Sequence, residues 1–149
     1  MKKSLFIFIF LFLVIFVLDQ WIKYLVVNGF DYQSEAVSIM LVYNKGVAFS
    51  MLSFLGSALK YIQIILVLVV WIMLLRQREF FIQNHCIFGI IFGAGCSNIL
   101  DRFTYAGVVD YIHWHYIIEF PAVFNFADVM IDIGVGILIL KMLFLSKTK

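Results

Sequence analysis

The chain has 149 residues, of which 64% are hydrophobic and only 13% charged, and its mean hydropathy is +1.05. Soluble domains are about 45–50% apolar and about 25% charged, so this composition excludes an ordinary soluble protein and indicates an integral membrane protein. The net charge is +2, with no cluster of basic residues on a polar face, which excludes a nucleic-acid-binding surface. Cys86 and Cys96 lie about 15 Å apart along one predicted helix, too far apart for a disulfide within that helix.

The first apolar segment follows Lys2 and Lys3 and predicts a membrane span over residues 4–27. A secretory signal peptide would begin in the same way, but no small-residue cleavage site follows and the apolar run resumes at Trp21. An uncleaved span is therefore favoured. Asp19 and Lys23 are four residues apart on one face of this helix, where they can form an ion pair.

Residues 28–55 are more polar and predict a small β element beside the membrane. Residues 36–43 are rich in β-branched and aromatic side chains, which is typical of a strand. Asn44-Lys45-Gly46 predicts a turn, and residues 47–50 could form a returning strand. Because this element is too short to fold alone, residues 1–149 are predicted to form a single membrane-embedded domain.

Three further spans are predicted over residues 56–75, 84–103 and 123–145. Gly89, Gly93 and Ser97 recur every four residues in the third span, a small-residue face that lets helices approach closely. Residues 104–123 are predicted to form a loop whose aromatic residues are typical of a membrane interface. The expected fold class is an all-α integral membrane protein: a four-transmembrane-helix bundle with a small extracytoplasmic β element.

Basic residues lie near both ends of the chain and between the second and third predicted spans. The loop over 104–123 contains no Lys or Arg, and residues 28–55 contain only Lys45. The positive-inside rule therefore places both termini in the cytoplasm and the β element and the aromatic loop outside.

Charged residues in the predicted spans or at their ends are the first candidates for a functional site; they are Asp19, Lys23, Asp101, Arg102, Asp128 and Asp132. Left unpaired at mid-bilayer, six such residues would cost roughly 15–20 kcal/mol. A domain does not have that much stability to spare. The six residues must therefore pair, face a wet cavity or lie near the interface.

Asp110 and Asp128 suggest an acid–base pair. Two carboxylates a few ångströms apart cannot both ionise easily, so one holds a proton while the other can act as a base. A water between them could attack a peptide carbonyl without a metal or a covalent intermediate. Spacing alone does not show that the two residues meet. Asp132, one turn deeper than Asp128, competes for the partner role and could instead serve a proton path or a structural hydrogen bond.

Other interpretations stay open. His113 and His115 with Glu119 could hold a metal, although no metalloprotease signature is present and interfacial histidines explain them as well. Ser97 has no histidine in the fourth span to activate it, which disfavours a serine nucleophile. A small transporter would use Asp128 and Asp132 to carry ions, and a non-enzymatic membrane partner would tolerate loss of the Asp110 carboxylate.

Five short motifs, in order along nearly the whole chain, resemble those of lipoprotein signal peptidase (signal peptidase II), a family of bacterial intramembrane aspartic proteases. They are Asp19-Gln-x-x-Lys23, Asn44-x-Gly46-x-Ala48-Phe49-Ser50, Asn98-x-x-Asp101-Arg102, Val108-Val-Asp110 and Phe124-Asn125-x-Ala127-Asp128. The family usually has Gly-Gly-Ala-x-Gly-Asn before the Asp-Arg pair. Here Ser97 stands in place of the last glycine and is small enough to preserve close packing.

The resemblance implies catalytic roles for Asp110 and Asp128 and no metal or cofactor. It implies that Asn44, Asn98, Arg102 and Asn125 line the substrate and active-site region, and that Asp19, Lys23 and Asp101 support it. The implied substrates are diacylglyceryl-modified prolipoproteins, cleaved before the lipidated cysteine at the outer face of the bacterial cytoplasmic (inner) membrane. Membrane lipid is the other expected partner, and the protein is expected to be a monomer.

Overall fold

The structure is a computed structural model that describes residues 1–47, 51–105, 107–115 and 122–145. Its helices are α1 (Lys2–Val27), α2 (Ala58–Arg76), α3 (Arg78–Thr104) and α4 (Phe126–Leu145). Its strands are β1 (Tyr32–Gln33), β2 (Val37–Asn44), β3 (Val108–Trp114) and β4 (Val123–Phe124). A 3-10 turn over Ser53–Leu55 precedes α2. The chain is thus mostly helical with one small sheet, as predicted.

The helices overlap the four predicted apolar segments, and two of their starts differ from the predicted ones by three or more residues. α3 begins at Arg78, six residues before the predicted start at 84, and only Gln77 separates it from α2. The prediction followed hydropathy, whereas the polar first turns of α3 stay helical because Phe81 packs into the aromatic core beside Trp71. α4 begins at Phe126 rather than 123, since residues 123 and 124 pair with β3 as a strand.

The sheet is antiparallel throughout, in the order β1-β2-β3-β4. Strand β2 confirms the strand predicted over 36–43, but its main partner is β3, which lies within the segment predicted to be a loop over 104–123. The loop prediction is therefore wrong for Val108–Trp114, and the β element is not confined to residues 28–55. Val47 is not in a strand, and the rest of the predicted returning strand lies outside the described residues.

The register of this sheet positions the site. Val42 of β2 is opposite Asp110, and Asn44 is opposite Val108. The β2–β3 register is irregular between Ile39 and Val42. The pairing brings the end of β2 to the start of β3, directly after α3.

Helices α1 and α3 pack closely through the predicted small-residue face. A Cβ added to Gly93 would lie 2.5 Å from the carbonyl oxygen of Phe12, and one added to Gly89 would lie 2.7 Å from that of Phe8. These distances leave no room for a side chain, so the two backbones are in contact. Deeper in the bundle Phe8, Phe81, Phe88 and neighbouring aromatic residues form an apolar core.

Three helices in the described part of the chain, α1, α2 and α3, are long and apolar enough to cross a membrane. Their outward surfaces carry large apolar side chains, such as Phe6 at 71% exposure and Ile65 at 60%. Such a surface is stable in contact with lipid and unstable in water.

Candidate active site

A buried cluster of charges joins α1 to α3. The Lys23 ammonium lies 2.6 Å from Asp19 Oδ2 and 2.7 Å from Asp101 Oδ2, and all three side chains are at most 1% exposed. Lys23 Nζ also donates to Asn98 Oδ1 at 2.7 Å. The Asp19–Lys23 pair confirms the prediction from the i, i+4 spacing. Because the cluster has two carboxylates and only one ammonium group, further hydrogen-bond donors are needed to stabilise the carboxylates.

Those donors come from the backbones that carry the two candidate catalytic residues. Asp101 Oδ2 accepts a hydrogen bond from the Val109 N–H at 3.1 Å, one residue before Asp110. Asp19 Oδ1 accepts one from the Ala127 N–H at 3.0 Å, one residue before Asp128. The buried charges therefore fix β3 and the start of α4 relative to α1 and α3.

Two residues that the sequence reasoning did not assign to the site complete this support. Gln20 Nε2 donates to Asp101 Oδ1 at 2.8 Å and to Ser97 Oγ at 2.9 Å. The Ser97 hydroxyl donates to Asp19 Oδ2 at 2.6 Å, so Ser97 has a structural role here. Gln20 belongs to the first of the five motifs, and that position is the sequence feature that indicates a role in the site.

Asp110 lies on β3 and is 2% exposed. Its Oδ2 accepts a hydrogen bond from Asn44 Nδ2 at 2.9 Å, and its Oδ1 accepts one from Asn125 Nδ2 at 2.7 Å. Burial raises the pKa of Asp110 to about 6; the two amide donors oppose this shift and the nearby Asp128 carboxylate adds to it. The carboxyl therefore changes its protonation state close to neutral pH.

Asp128 lies in the first turn of α4, where the free N–H groups of a helix favour a negative charge. Its Oδ1 accepts a hydrogen bond from Asn98 Nδ2 at 2.9 Å, and its Oδ2 accepts one from the Asn125 N–H at 3.1 Å. Each oxygen of the carboxylate thus has its own donor.

Asn125 connects the two aspartates. While its side-chain amide donates to Asp110, its Oδ1 accepts the Asp128 N–H at 2.9 Å and its own N–H binds the Asp128 carboxylate. The residue is fully buried. On the other side of the site the Tyr111 hydroxyl accepts the Phe126 N–H at 3.1 Å, and burial raises the pKa of that phenol. Strand β3 is therefore linked to the start of α4 through both Asn125 and Phe126.

Both aspartates line one cavity of about 570 Å³ between α2, α3, α4 and the sheet. Its polar wall includes Asn44, Asn98 and Arg102, and the opposite wall is largely apolar side chains of α2. The Arg102 guanidinium donates through Nη2 to the Gly46 carbonyl, which holds the turn after β2 over the cavity. Such a cavity suits an extended peptide with apolar side chains near a polar reacting centre.

All nine residues predicted for the site lie in this hydrogen-bonded network or line the cavity. Asp132 lines it too and is exposed there. In the described ranges no group of three His, Cys, Asp or Glu side chains could hold a metal ion. The rings of His113 and His115 lie 5.6 Å apart, and His115 Nε2 lies 2.9 Å from the Ser38 hydroxyl. Glu119, the third residue of that possible metal site, is outside the described residues.

Comparison with known proteins gives the family. The model of the peptidase family A8, signal peptidase (SPase) II, matches residues 11–144. The lipoprotein signal peptidase of Helicobacter pylori is 58% identical over 98% of this chain and 92% of its own length. That of Wolinella succinogenes is 48% identical over 99% of this chain and all of its own length.

The fold agrees with this assignment. A solved bacterial membrane enzyme, determined at 2.3 Å, superposes with a TM-score of 0.76 at 23% identity, covering all of this chain and 92% of its own. A second, determined at 1.9 Å, gives 0.70 at 24% identity and covers 96% and 94%. With the mostly helical membrane fold and a matched region that includes every candidate residue, the chain belongs to the signal peptidase II family, aspartic proteases that remove signal peptides from lipoproteins.

Proposed function

We propose that Asp110 and Asp128 are the catalytic pair of an endopeptidase that cleaves diacylglyceryl-modified prolipoproteins just before the lipidated cysteine. The observation that carries the proposal is Asn125, which binds both aspartates from a fully buried position. Both carboxyl groups border the same cavity. Two carboxyls held in this way can share one proton, which supplies an acid and a base at the same pH.

In the proposed reaction one carboxylate takes a proton from a water as the water oxygen attacks the scissile carbonyl carbon. The other carboxyl gives its proton to the carbonyl oxygen, which forms a neutral tetrahedral gem-diol. When the C–N bond breaks, the leaving nitrogen receives a proton from the carboxyl that had taken one from water. A gem-diol proton returns to the other carboxylate. The products are the signal peptide with a free carboxyl group and a lipoprotein with a free amino group.

The surrounding residues have supporting roles in this proposal. Asn44 and Asn98 each donate to one oxygen of Asp110 or Asp128, which orients the carboxyl groups toward the cavity. Arg102 borders the cavity as a cation that can bind substrate carbonyl groups. The Asp19–Lys23–Asp101 cluster positions the two aspartates through the backbone of the residues that precede them.

The proposed arrangement in the membrane has four spans, with α4 as the fourth, and both termini in the cytoplasm. The sheet and the cavity then lie at the extracytoplasmic face of the inner membrane. A diacyl chain adds about 0.8 kcal/mol of membrane affinity per buried methylene, so the substrate reaches the cavity laterally through the bilayer. The site draws all its residues from one chain, which supports a monomeric enzyme.

The test is cleavage of a diacylglyceryl-modified prolipoprotein by purified protein in lipid, with and without a chelator. We expect wild type to cleave in both conditions, and Asp110→Asn and Asp128→Asn to lose at least about 10²-fold in kcat, because acid–base catalysis contributes about 10²–10⁴-fold for each group. Activity in either variant near that of wild type would refute the dyad.

Asp132→Asn is the matched control, since it removes a third carboxylate from the same cavity. We expect it to retain activity within a few-fold of wild type. If Asp132→Asn were as damaging as Asp110→Asn, or if wild type released no cleaved product, the transporter hypothesis would be favoured instead.

A further inference from the structure

Gln63 is a polar residue on the otherwise apolar wall that α2 presents to the cavity. It lines the cavity beside Leu66 and Val67. Its side-chain oxygen Oε1 is shielded from solvent and accepts no hydrogen bond from the described residues. Buried amide oxygens are nearly always paired in folded proteins, because an unpaired one loses its hydration without compensation. Oε1 is closed off from the cavity in this conformation, but rotation about the terminal amide torsion of the side chain, which is broad, brings it to the cavity surface, where a ligand donor can pair with it.

The amide donors of the opposite wall bond other groups. The side-chain amides of Asn44, Asn98 and Asn125 already donate to the two aspartates. The other shielded group without a partner among the described residues is Arg102 Nε, a donor on α3 that borders the same cavity. Two residues that line the cavity, one on α2 and one on α3, thus each carry a shielded polar atom with no partner among the described residues.

An extended peptide matches these two groups. Its backbone presents N–H and C=O groups in alternation, and each needs a partner where lipid and apolar side chains exclude water. An apolar side chain satisfies neither group. A glutamine on the apolar wall can accept a backbone N–H while the neighbouring leucine and valine contact the apolar side chains of the peptide.

We propose that Gln63 is a positioning residue whose Oε1 accepts a hydrogen bond from a backbone N–H of the signal-peptide segment in the cavity. This inference rests on the proposed function and extends it to how the substrate is bound. The bond holds the peptide in the cavity beside Asp110 and Asp128 and is present in both the bound substrate and the transition state, so it contributes to substrate binding. Because Gln63 Oε1 has no partner in the described protein, its removal breaks no internal contact of that oxygen.

The experiment compares Gln63→Leu and Gln63→Glu with wild type in the cleavage assay. We expect Gln63→Leu to raise KM about five- to tenfold, the range of one neutral hydrogen bond, with kcat within about twofold of wild type. Gln63→Glu keeps an acceptor oxygen at the same position and should stay within about threefold of the wild-type KM. Ile62→Leu, on the exposed surface of the same helix turn, is the matched control and should change nothing.

Two further measurements separate positioning from a structural role. Thermal unfolding should show no loss of Tm in Gln63→Leu, since an unpaired buried oxygen is removed. The second measurement uses synthetic lipopeptides, each N-methylated at one backbone position. We expect methylation at one position to raise KM for wild type but not for Gln63→Leu. A double-mutant cycle requires this result if the methylated N–H and Gln63 share a hydrogen bond.

The outcomes are distinct. An unchanged KM in Gln63→Leu, beside active wild type and inactive Asp110→Asn, would overturn this inference and leave the proposed function standing. A fall in kcat together with a fall in Tm would assign Gln63 a structural role and overturn it as well. No cleavage by wild type would overturn the proposed function and this inference with it.

Discussion

Replacing Lys23 by methionine tests whether the buried charge cluster holds the site together. The substitution keeps an unbranched side chain, one atom shorter, but leaves Asp19 and Asp101 buried without their shared cation. Breaking a buried pair by removing one partner costs about 3–5 kcal/mol. Because Lys23 serves two carboxylates and also donates to Asn98, we expect the upper end of that range.

The assay measures thermal unfolding in detergent, monitored by tryptophan fluorescence. Cleavage activity is measured in parallel. At about 2–4 °C per kcal/mol for a chain of this length, a loss of 5 kcal/mol lowers Tm by roughly 10–20 °C. Lys60→Met is the matched control, because Lys60 lies 4.4 Å from the Phe103 ring and has no carboxylate partner among the described residues. Its cation–π contact is worth about 0.5–1 kcal/mol, so its Tm should fall by only a few degrees.

A second variant protects the test against simple failure to fold. Adding Asp101→Asn to Lys23→Met removes one of the two uncompensated carboxylates, while the asparagine oxygen can still accept the Val109 N–H. We expect the double variant to recover part of the lost Tm. A loss for Lys23→Met no larger than that for Lys60→Met, or no recovery in the double variant, would refute the reasoning.

Two further predictions concern the pH profile and the helix interface. Asn44→Ala removes a donor that stabilises the ionised form of Asp110, so the pKa of Asp110, already raised to about 6, rises further. The part of the kcat/KM profile that changes near pH 6 should therefore move upward by about 1 pH unit. If it does not move, Asp110 is not the group that titrates there. Gly93→Ala places a Cβ against the α1 backbone and should lower Tm, whereas Gly136→Ala meets no atom within 4 Å and should leave Tm unchanged or raise it. Equal Tm values would show that α1 and α3 are not in tight contact.

The same pKa fixes the sign of one contribution to stability. Because the folded-state pKa of Asp110 lies above the ordinary value of 3.8, the folded protein binds this proton more tightly than the unfolded chain does. The stabilisation from Asp110 is therefore complete below pH 3.8 and is lost as the pH rises through about 6.

Local spacing predicted some contacts of the site and could not predict others. The pair of Asp19 and Lys23 followed from four-residue spacing within one helix. Lys23 and Asp101 are 78 residues apart, and their contact depends on how α1 packs against α3. Periodicity within either helix does not encode that packing. The family resemblance predicts both residues in the site, and the packing of the two helices explains why they meet there.

The errors also have physical causes. Val108, Val109 and Tyr111 carry the β-branched and aromatic signal of a strand, but the aromatic residues of this segment are equally typical of a membrane interface. A strand there forms because β2 offers a free edge for pairing, which is a tertiary effect. The sequence does not single out Gln63, because one amide in an apolar run barely changes the hydropathy; only its position in the cavity wall distinguishes it.

The buried hydrogen bond from Ala127 to Asp19 has a consequence for biosynthesis. These residues are 108 positions apart, so the first helix to be made must wait for the last before Asp19 has all its partners. Until then Asp19 and Lys23 can pair with each other on one face of α1 while the chain is inserted into the membrane. The proposed catalytic pair is brought together only when α4 docks against α1 and α3.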